Sequence, residues 1–510
     1  MRPSRHAVRL SLFAVLVGAV SMPLQAMAQV EKPGAQPLAK APLKPGKHIK
    51  RYTIEQFMAT TSVTGASFSK DERQILFSSN ASGIFNAYTL PVGGGTPRAL
   101  TTSTGDSTYA VGYFYNDDRI LFTRDTGGDE QNHLYVLEPG GKERDLTPGK
   151  LKASFAGWKP DGSGFYVATN ERDPKFFDIY LYDAGSYART MVYQNDSGMN
   201  VSDISRDGNW LAFDKSSTTS DSDVYVYHLP TRTMKHITPH TAPASHSAAT
   251  FDPQSKRLLF TTNAGGEFTR IAAYDLASGA TSDVEKADWD LLDTSYSRNG
   301  ANRVSIVNRD GSIDVRVFDA AGKPVTLPKL PGGEMRQVTF SASGRLMAFY
   351  LNGDRSPNNL YVHDFGSKKT TQLTRSLNPA IDPNDLVEAE VVRFKSFDGT
   401  VIPSIYYKPK GAAPNAKVPA VVYVHGGPGG QTMRGYSAQI QYLVNHGYAV
   451  LGINNRGSSG YGKTFFRADD RKHGMEPLWD CIEAKTWLAS QSYIDAERIG
   501  IMGGSYGGYM

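Results

Sequence analysis

The chain has 510 residues, 40% hydrophobic and 21% charged, with a net charge of +5. That balance is globular and long enough for two or more domains. Charges of both signs are spread without a long basic block, which argues against nucleic-acid binding, and a single cysteine, Cys481, excludes an intrachain disulfide and a Cys/His zinc site.

The N-terminus reads as an export signal. Arg2, Arg5 and Arg9 precede the apolar run Leu10 to Val20, and Ala26-Met27-Ala28 fits a small-x-small cleavage site. Residues 1–28 are therefore predicted to be removed, leaving a periplasmic or secreted protein that starts near Gln29. The apolar run is shorter than the roughly 20 residues a spanning helix needs, so no stable membrane anchor is expected. Residues 29–55, rich in Pro, Ala and Lys up to Lys50, read as a flexible leader.

From residue 56 to 380 a unit recurs about every 45 residues, a propeller-blade period. Each unit opens on an apolar or aromatic residue, passes a polar turn, then enters a β-run. Examples are Phe68-Ser-Lys-Asp71 before Ile75, Trp158-Lys-Pro-Asp161 before Phe165, and Ile204-Ser-Arg-Asp207 before Trp210. An alternating strand follows, as in Leu134 to Leu137 and Val224 to Tyr227. Many units close on a Leu-Thr or Ile-Thr step: Leu100-Thr101, Leu146-Thr147, Ile237-Thr238 and Leu373-Thr374. About seven units predict a seven-bladed β-propeller, with the turn Asp and Asn residues bonding their own backbone and not calcium.

Residues 381–510 switch to alternating strands and helices, the pattern of a mostly parallel α/β sheet. A hairpin is expected around Asp398-Gly399 and buried strands at Val418 to His425 and Tyr448 to Ile453. A helix is predicted over Leu478 to Ser490, with Leu478, Cys481, Ile482 and Leu488 facing inward. His446 and His473 read as solvated. After His425 the Gly426-Gly427-Pro428-Gly429-Gly430 loop is either an oxyanion loop or a tight Gly-Pro turn, with His425 itself either a donor or simply packed. Arg456, opening the Gly-rich stretch to Gly462, is either a turn residue or a substrate clamp.

The last strand, Arg498 to Met502, runs into Gly503-Gly504-Ser505-Tyr506-Gly507. A serine between glycines on a strand-to-helix turn is a nucleophile elbow. The turn pushes the Ser505 hydroxyl out at the sheet edge and points the Tyr506 N–H at a developing oxyanion.

Three stretches, His425-Gly-Gly-Pro428, Asn455-Arg-Gly-Ser-Ser-Gly-Tyr-Gly462 and Gly503-Gly-Ser-Tyr-Gly-Gly-Tyr509, together resemble the prolyl oligopeptidase family of serine peptidases, most closely its acylaminoacyl-peptidase and dipeptidyl-peptidase branches. The resemblance implies a propeller capping an α/β-hydrolase domain that is incomplete at Met510, with the active site in the cavity between them and entry restricted to short or unfolded peptides. It implies Ser505 as nucleophile, Tyr506 N–H as an oxyanion donor and His425 in the place of a second one. The family's aspartate and histidine would lie beyond Met510, so the chain alone is expected to be inactive. No Glu-Glu pair of the dipeptidyl-peptidase kind is present; Glu130 is a lone candidate for gripping a substrate N-terminus, or else a blade-loop residue. Peptide substrates and no metal or organic cofactor are expected, and no oligomeric state is implied. The alternatives are an esterase on the same elbow and a non-catalytic propeller binding module.

Overall fold

Short β-runs between polar turns can bury a sheet face only against another sheet, and residues 63–372 do so as a ring of seven blades. The computed structural model describes residues 49–510; the proposed signal peptide and most of the leader lie outside the described residues. The blades span 63–99, 108–145, 153–193, 200–236, 246–285, 290–319 and 334–372. All are antiparallel meanders of four strands except blade 6, which has three. Pro324, Pro328 and Pro331 follow blade 6, and proline cannot donate to a ladder. A bridge from Phe318 to Pro324 and the bonds from Val325 N–H to Val317 O and from Asp319 N–H to Lys323 O mark the place of the missing strand.

The repeat has a physical basis in each blade. Asp71, Asp161 and Asp207 accept the N–H two residues on, at 3.0, 2.9 and 3.0 Å, which fixes the turn between the first two strands. The closing threonine is buried in blades 1, 2 and 4 and partly buried in blade 7, and its hydroxyl oxygen accepts an N–H from the third strand. Thr101 serves Ala87, Thr147 serves Leu134, Thr238 serves Val224 and Thr374 serves Leu360, all at 2.8–2.9 Å. The residue before each threonine bonds the carbonyl of the same partner. The Leu-Thr step is thus the clip that holds the outermost segment to its blade.

Adjacent blades are joined by apolar packing. Phe114, Leu121 and Val136 of blade 2 meet Phe165, Val167 and Tyr182 of blade 3. Each such large side chain contributes about 1.5–3 kcal/mol on burial. No strand is exchanged to close the ring among the described residues. Blade 7 packs on blade 1 through Leu346, Ala348 and Leu360 against Val63, Ile75 and Phe77, and Tyr350 Oη donates to Gly65 O at 2.6 Å. The innermost strand of every blade carries a register shift, a feature invisible in the sequence.

The α/β part is a five-stranded sheet in the order Glu390–Lys395, Val401–Tyr407, Ala449–Ile453, Val418–Val424, Ile494–Gly503. The first two form the expected hairpin, and Val418–Val424 is parallel to both of its neighbours. Helix Ala438–Asn445 covers one face with Ile440 and Val444, and helix Glu476–Ser490 covers the other with Cys481, Ala484 and Leu488. Burial pushes the Cys481 thiol up to about 12, as suits a packed core thiol.

Two expectations need correction. Ile482 does not face inward: it is 54% exposed, because Asp480 takes the inward position to meet Arg456. The leader does not run to residue 55. Tyr52 and Phe57 are buried, Thr53 caps helix Ile54–Met58, and the Tyr52 N–H bonds Asn445 Oδ1 at 3.0 Å. This segment wedges between the propeller and helix Ala438–Asn445, so packing orders a stretch whose composition looks unstructured.

Candidate active site

The strand order brings two loops together. Val424 pairs with Gly503 in parallel register, so the chain leaving Val418–Val424 at His425-Gly426 emerges beside the chain leaving Ile494–Gly503 at Gly504-Ser505. A Cβ at Gly426 would lie 3.4 Å from Ser505 Cβ and 3.3 Å from Gly504 O. Ser505 holds φ +54° and ψ −120°, a left-handed setting that is unusual for a side-chain-bearing residue. Helix Tyr506–Tyr509 starts at once. The flanking glycines are required by space. A Cβ on Gly503 would sit 2.7 Å from Val424 O, and one on Gly507 would overlap that same oxygen.

Ser505 is exposed, and its hydroxyl has no hydrogen-bond partner among the described residues. The N–H groups of Tyr506 and Gly426 likewise have no acceptor among the described residues. An exposed hydroxyl and two N–H groups without acceptors therefore lie at one end of the sheet, an arrangement that suits an oxyanion.

The other candidates fall differently. His425 is 8% exposed. Its Nε2 lies 2.7 Å from Ser458 Oγ and its Nδ1 2.8 Å from Gly426 O. Ser458 in turn donates to Asn455 O at 2.6 Å. Burial holds the imidazole below its ordinary pKa. With both ring nitrogens occupied, the His425 side chain is not a free oxyanion donor; it ties the Gly426 loop to the next loop. Arg456 is corrected outright. It is 5% exposed and held by carboxylates: Nη1 donates to Asp398 at 2.8 Å, Nη2 and Nε to Asp480 at 2.8 and 3.0 Å. It is a buried internal tie between Asp398 and Asp480, with four of its five donors engaged by those carboxylates. Glu130 sits exposed at φ +61° in the 125–132 loop of blade 2, its N–H bonded to Asp125, and no hydrogen bond or ion pair joins it to the α/β part among the described residues.

One contact escaped sequence reading. His473 Nδ1 lies 3.1 Å from Tyr506 Oη, with the rings edge-on at 5.4 Å. His473 and Tyr506 are 33 residues apart, and no local spacing signals the pair.

The propeller faces this end of the sheet. The Glu267 carboxylate of blade 5 accepts the Thr464 N–H at 2.7 Å and its hydroxyl at 2.8 Å. Asn308 of blade 6 donates to Gln431 at 2.6 Å, and Asp354 of blade 7 holds Arg434 and the Gly435 N–H, both at 2.8 Å. Blades 5 to 7 thus grip the loops at 431–436 and 462–464 that flank the Ser505 corner.

Two family profiles match this architecture. The N-terminal β-propeller domain of prolyl oligopeptidase covers residues 101–376, and the prolyl oligopeptidase family profile covers residues 434–510. The chain belongs to the prolyl oligopeptidase family. It is 30% identical over 457 residues to dipeptidyl aminopeptidase BIII of Pseudoxanthomonas mexicana, covering 86% of this chain and 66% of that protein. It is 22% identical over 505 residues to dipeptidyl peptidase family member 6 of Caenorhabditis elegans, covering 88% and 66%. The chain therefore spans about two thirds of the length of these relatives. The fold is shared with a puromycin-hydrolysing peptidase of Mycobacterium tuberculosis, at TM-score 0.73 and 17% identity, covering 89% of this chain and 75% of that one.

Proposed function

We propose that the protein to which this chain belongs is an exported serine peptidase that cleaves short peptides through an acyl-enzyme on Ser505. The observation that carries the reading is the placement of an exposed, left-handed Ser505 against the Gly426 loop, beneath the blades. The Ser505 oxygen attacks the scissile carbonyl carbon while its proton passes to a base. The N–H groups of Tyr506 and Gly426 receive the negative oxygen of the tetrahedral intermediate. Collapse expels the amine, which takes the proton, and water then hydrolyses the acyl ester. No described histidine bonds the Ser505 hydroxyl. No described residue is assigned as the base or its carboxylate, and the chain spans about two thirds of the length of its relatives. Relatives named as dipeptidyl peptidases support peptides as the substrate class, and the propeller over the site favours short ones.

The test is labelling by a fluorophosphonate serine probe, read by intact mass. Residues 29–510 are compared with the protein extended through its downstream coding sequence, each beside Ser505→Ala. Labelling of the extended protein at Ser505, lost in the alanine variant, is the expected result. Labelling at another residue, or none, removes the proposal. Parallel assays on dipeptide anilides and short acyl esters then separate peptidase from esterase. An N-terminus at Gln29 in protein recovered from the producing cells would support export.

A further inference from the structure

The outer mouth of the propeller tunnel, on the face away from Ser505, is crossed by side chains from blades that are not neighbours. Arg206 of blade 4 donates to the carbonyls of Ser297 and Arg298 in blade 6, at 2.7 and 2.8 Å. Arg298 of blade 6 lays its guanidinium on the Tyr115 ring of blade 2, 3.4 Å from the centroid. In a ring of seven, blades 2 and 6 stand on opposite sides, so this contact spans the opening. Beside it lies a cavity of about 370 Å³ between blades 6, 7, 1, 2 and 3. Phe68, Phe114, Trp158 and Phe340 supply apolar walls; Lys70 and Arg298 supply charge; no carboxylate lines it among the described residues.

Arg298 lines this chamber without a carboxylate partner. Elsewhere in the propeller Arg119, Arg172 and Arg303 each pair with a carboxylate at 2.7–2.8 Å. Arg298 has no ion pair among the described residues, and its one hydrogen bond, to Pro160 O, is 3.5 Å long. Partial burial without a counter-charge makes its cation costlier, and this lowers its pKa. The stacking uses only the flat face of the guanidinium. Apart from that one long Nη2 bond, its edge donors have no partner among the described residues, and they form the fork that matches a carboxylate. The cavity is within the size range of small-molecule sites.

We propose that this outer chamber binds a small organic carboxylate carried on an aromatic or apolar body. The carboxylate meets the edge of Arg298, with Lys70 nearby, and the body lies against the Trp158 and Phe340 walls. The site is separate from Ser505, and the proposal does not depend on the peptidase reading.

The test uses N-acetylphenylalanine as probe and its neutral amide as control, by calorimetry and by Trp158 fluorescence, with Trp158→Phe assigning the signal among the five tryptophans. The acid is expected to bind at least tenfold more tightly than the amide. Arg298→Gln should remove that difference, and Lys70→Met should weaken the acid a few-fold. Should Arg298→Gln fold poorly, Ser295→Glu, which places a negative charge in the chamber and leaves Arg298 in place, is expected to abolish binding of the acid. Equal binding of acid and amide, undiminished binding in Arg298→Gln or Ser295→Glu, or inorganic phosphate displacing the acid as well as unlabelled acid does, each overturns the proposal.

Discussion

Thr147 holds the Leu134 N–H in blade 2, and Thr238 does the same for Val224 in blade 4, as do Thr101 and Thr374 in blades 1 and 7. The contacts that shape residues 390–510 around Ser505 occur singly. Gly507 clears Val424 O once, Arg456 joins Asp398 to Asp480 once, and His425 meets Ser458 once. The propeller is built from repeated local solutions, each within a blade and each of modest worth. The α/β part rests on single long-range contacts, among them the buried Arg456–Asp480 pair. Damage in the ring should therefore be shallow and similar from blade to blade, whereas damage beneath Ser505 should be deep and specific.

The largest effect is expected at the elbow. Gly507→Ala puts a methyl into Val424 O and must shift the strand end that carries Ser505. Probe labelling of the extended protein should fall to background while blade packing survives, as read by hydrogen exchange in residues 108–193. Unchanged labelling would show that the elbow has more slack than its spacing implies. Next comes Arg456→Met. Asp480 has no exposed side-chain area, and removing its cation leaves a buried charge uncompensated. A loss of about 3–5 kcal/mol in the α/β part is expected, largely restored by the pair Arg456→Met with Asp480→Leu. Failure of the second change to restore stability would mean that the network does more than neutralise itself. Smaller again is Thr147→Val, which strands the Leu134 N–H at a cost of about 1–3 kcal/mol. Thr238→Val should cost the same within error. A large difference between the two blades would break the idea that the ring is made of equivalent units.

What could be read from the sequence follows the same division. Asp71, Asp161 and the Leu-Thr steps are visible because each acts on backbone within about fifteen residues in a pattern that recurs. Ser505 is visible because strand, glycines and nucleophile are contiguous. The roles of Arg456 and His425 were not readable, because Asp480 and Ser458 lie 24 and 33 residues away with no spacing rule to link them. Tyr52 is the extreme case. Its N–H partner, Asn445, is 393 residues distant, so a stretch that looks like a leader becomes part of the joint between domains. Ile482 was misplaced by one helix position because a hydrophobicity count cannot know that Asp480 will be needed inside.

The finest distinction between the regions is the sign of their pH response. In the propeller, Asp293 on the innermost strand of blade 6 is drawn out of water with no cation beside it, and desolvation pushes its carboxyl up to about 7, with the Asp203 charge adding to the rise. A raised carboxyl contributes full stability below the ordinary value near 3.8 and loses it as pH rises to 7. In the α/β part, Arg456 holds Asp398 well below the ordinary range, so that contribution is present at neutral pH and is lost only as pH falls beneath about 4. Asp293→Asn should therefore be more stable than the parent at pH 8, by about 2–4 °C per kcal/mol recovered, with the gap closing as pH falls from 7 to 4. Asp398→Asn should be less stable than the parent at pH 8, and its gap should close only in stronger acid. Hydrogen exchange read separately over residues 290–308 and 449–456 would assign each change to its own region. If both variants moved the same region, or both gaps had the same sign, the propeller and the α/β part would be one electrostatic unit, and the contrast between a repeated ring and a singular site would hold for packing alone.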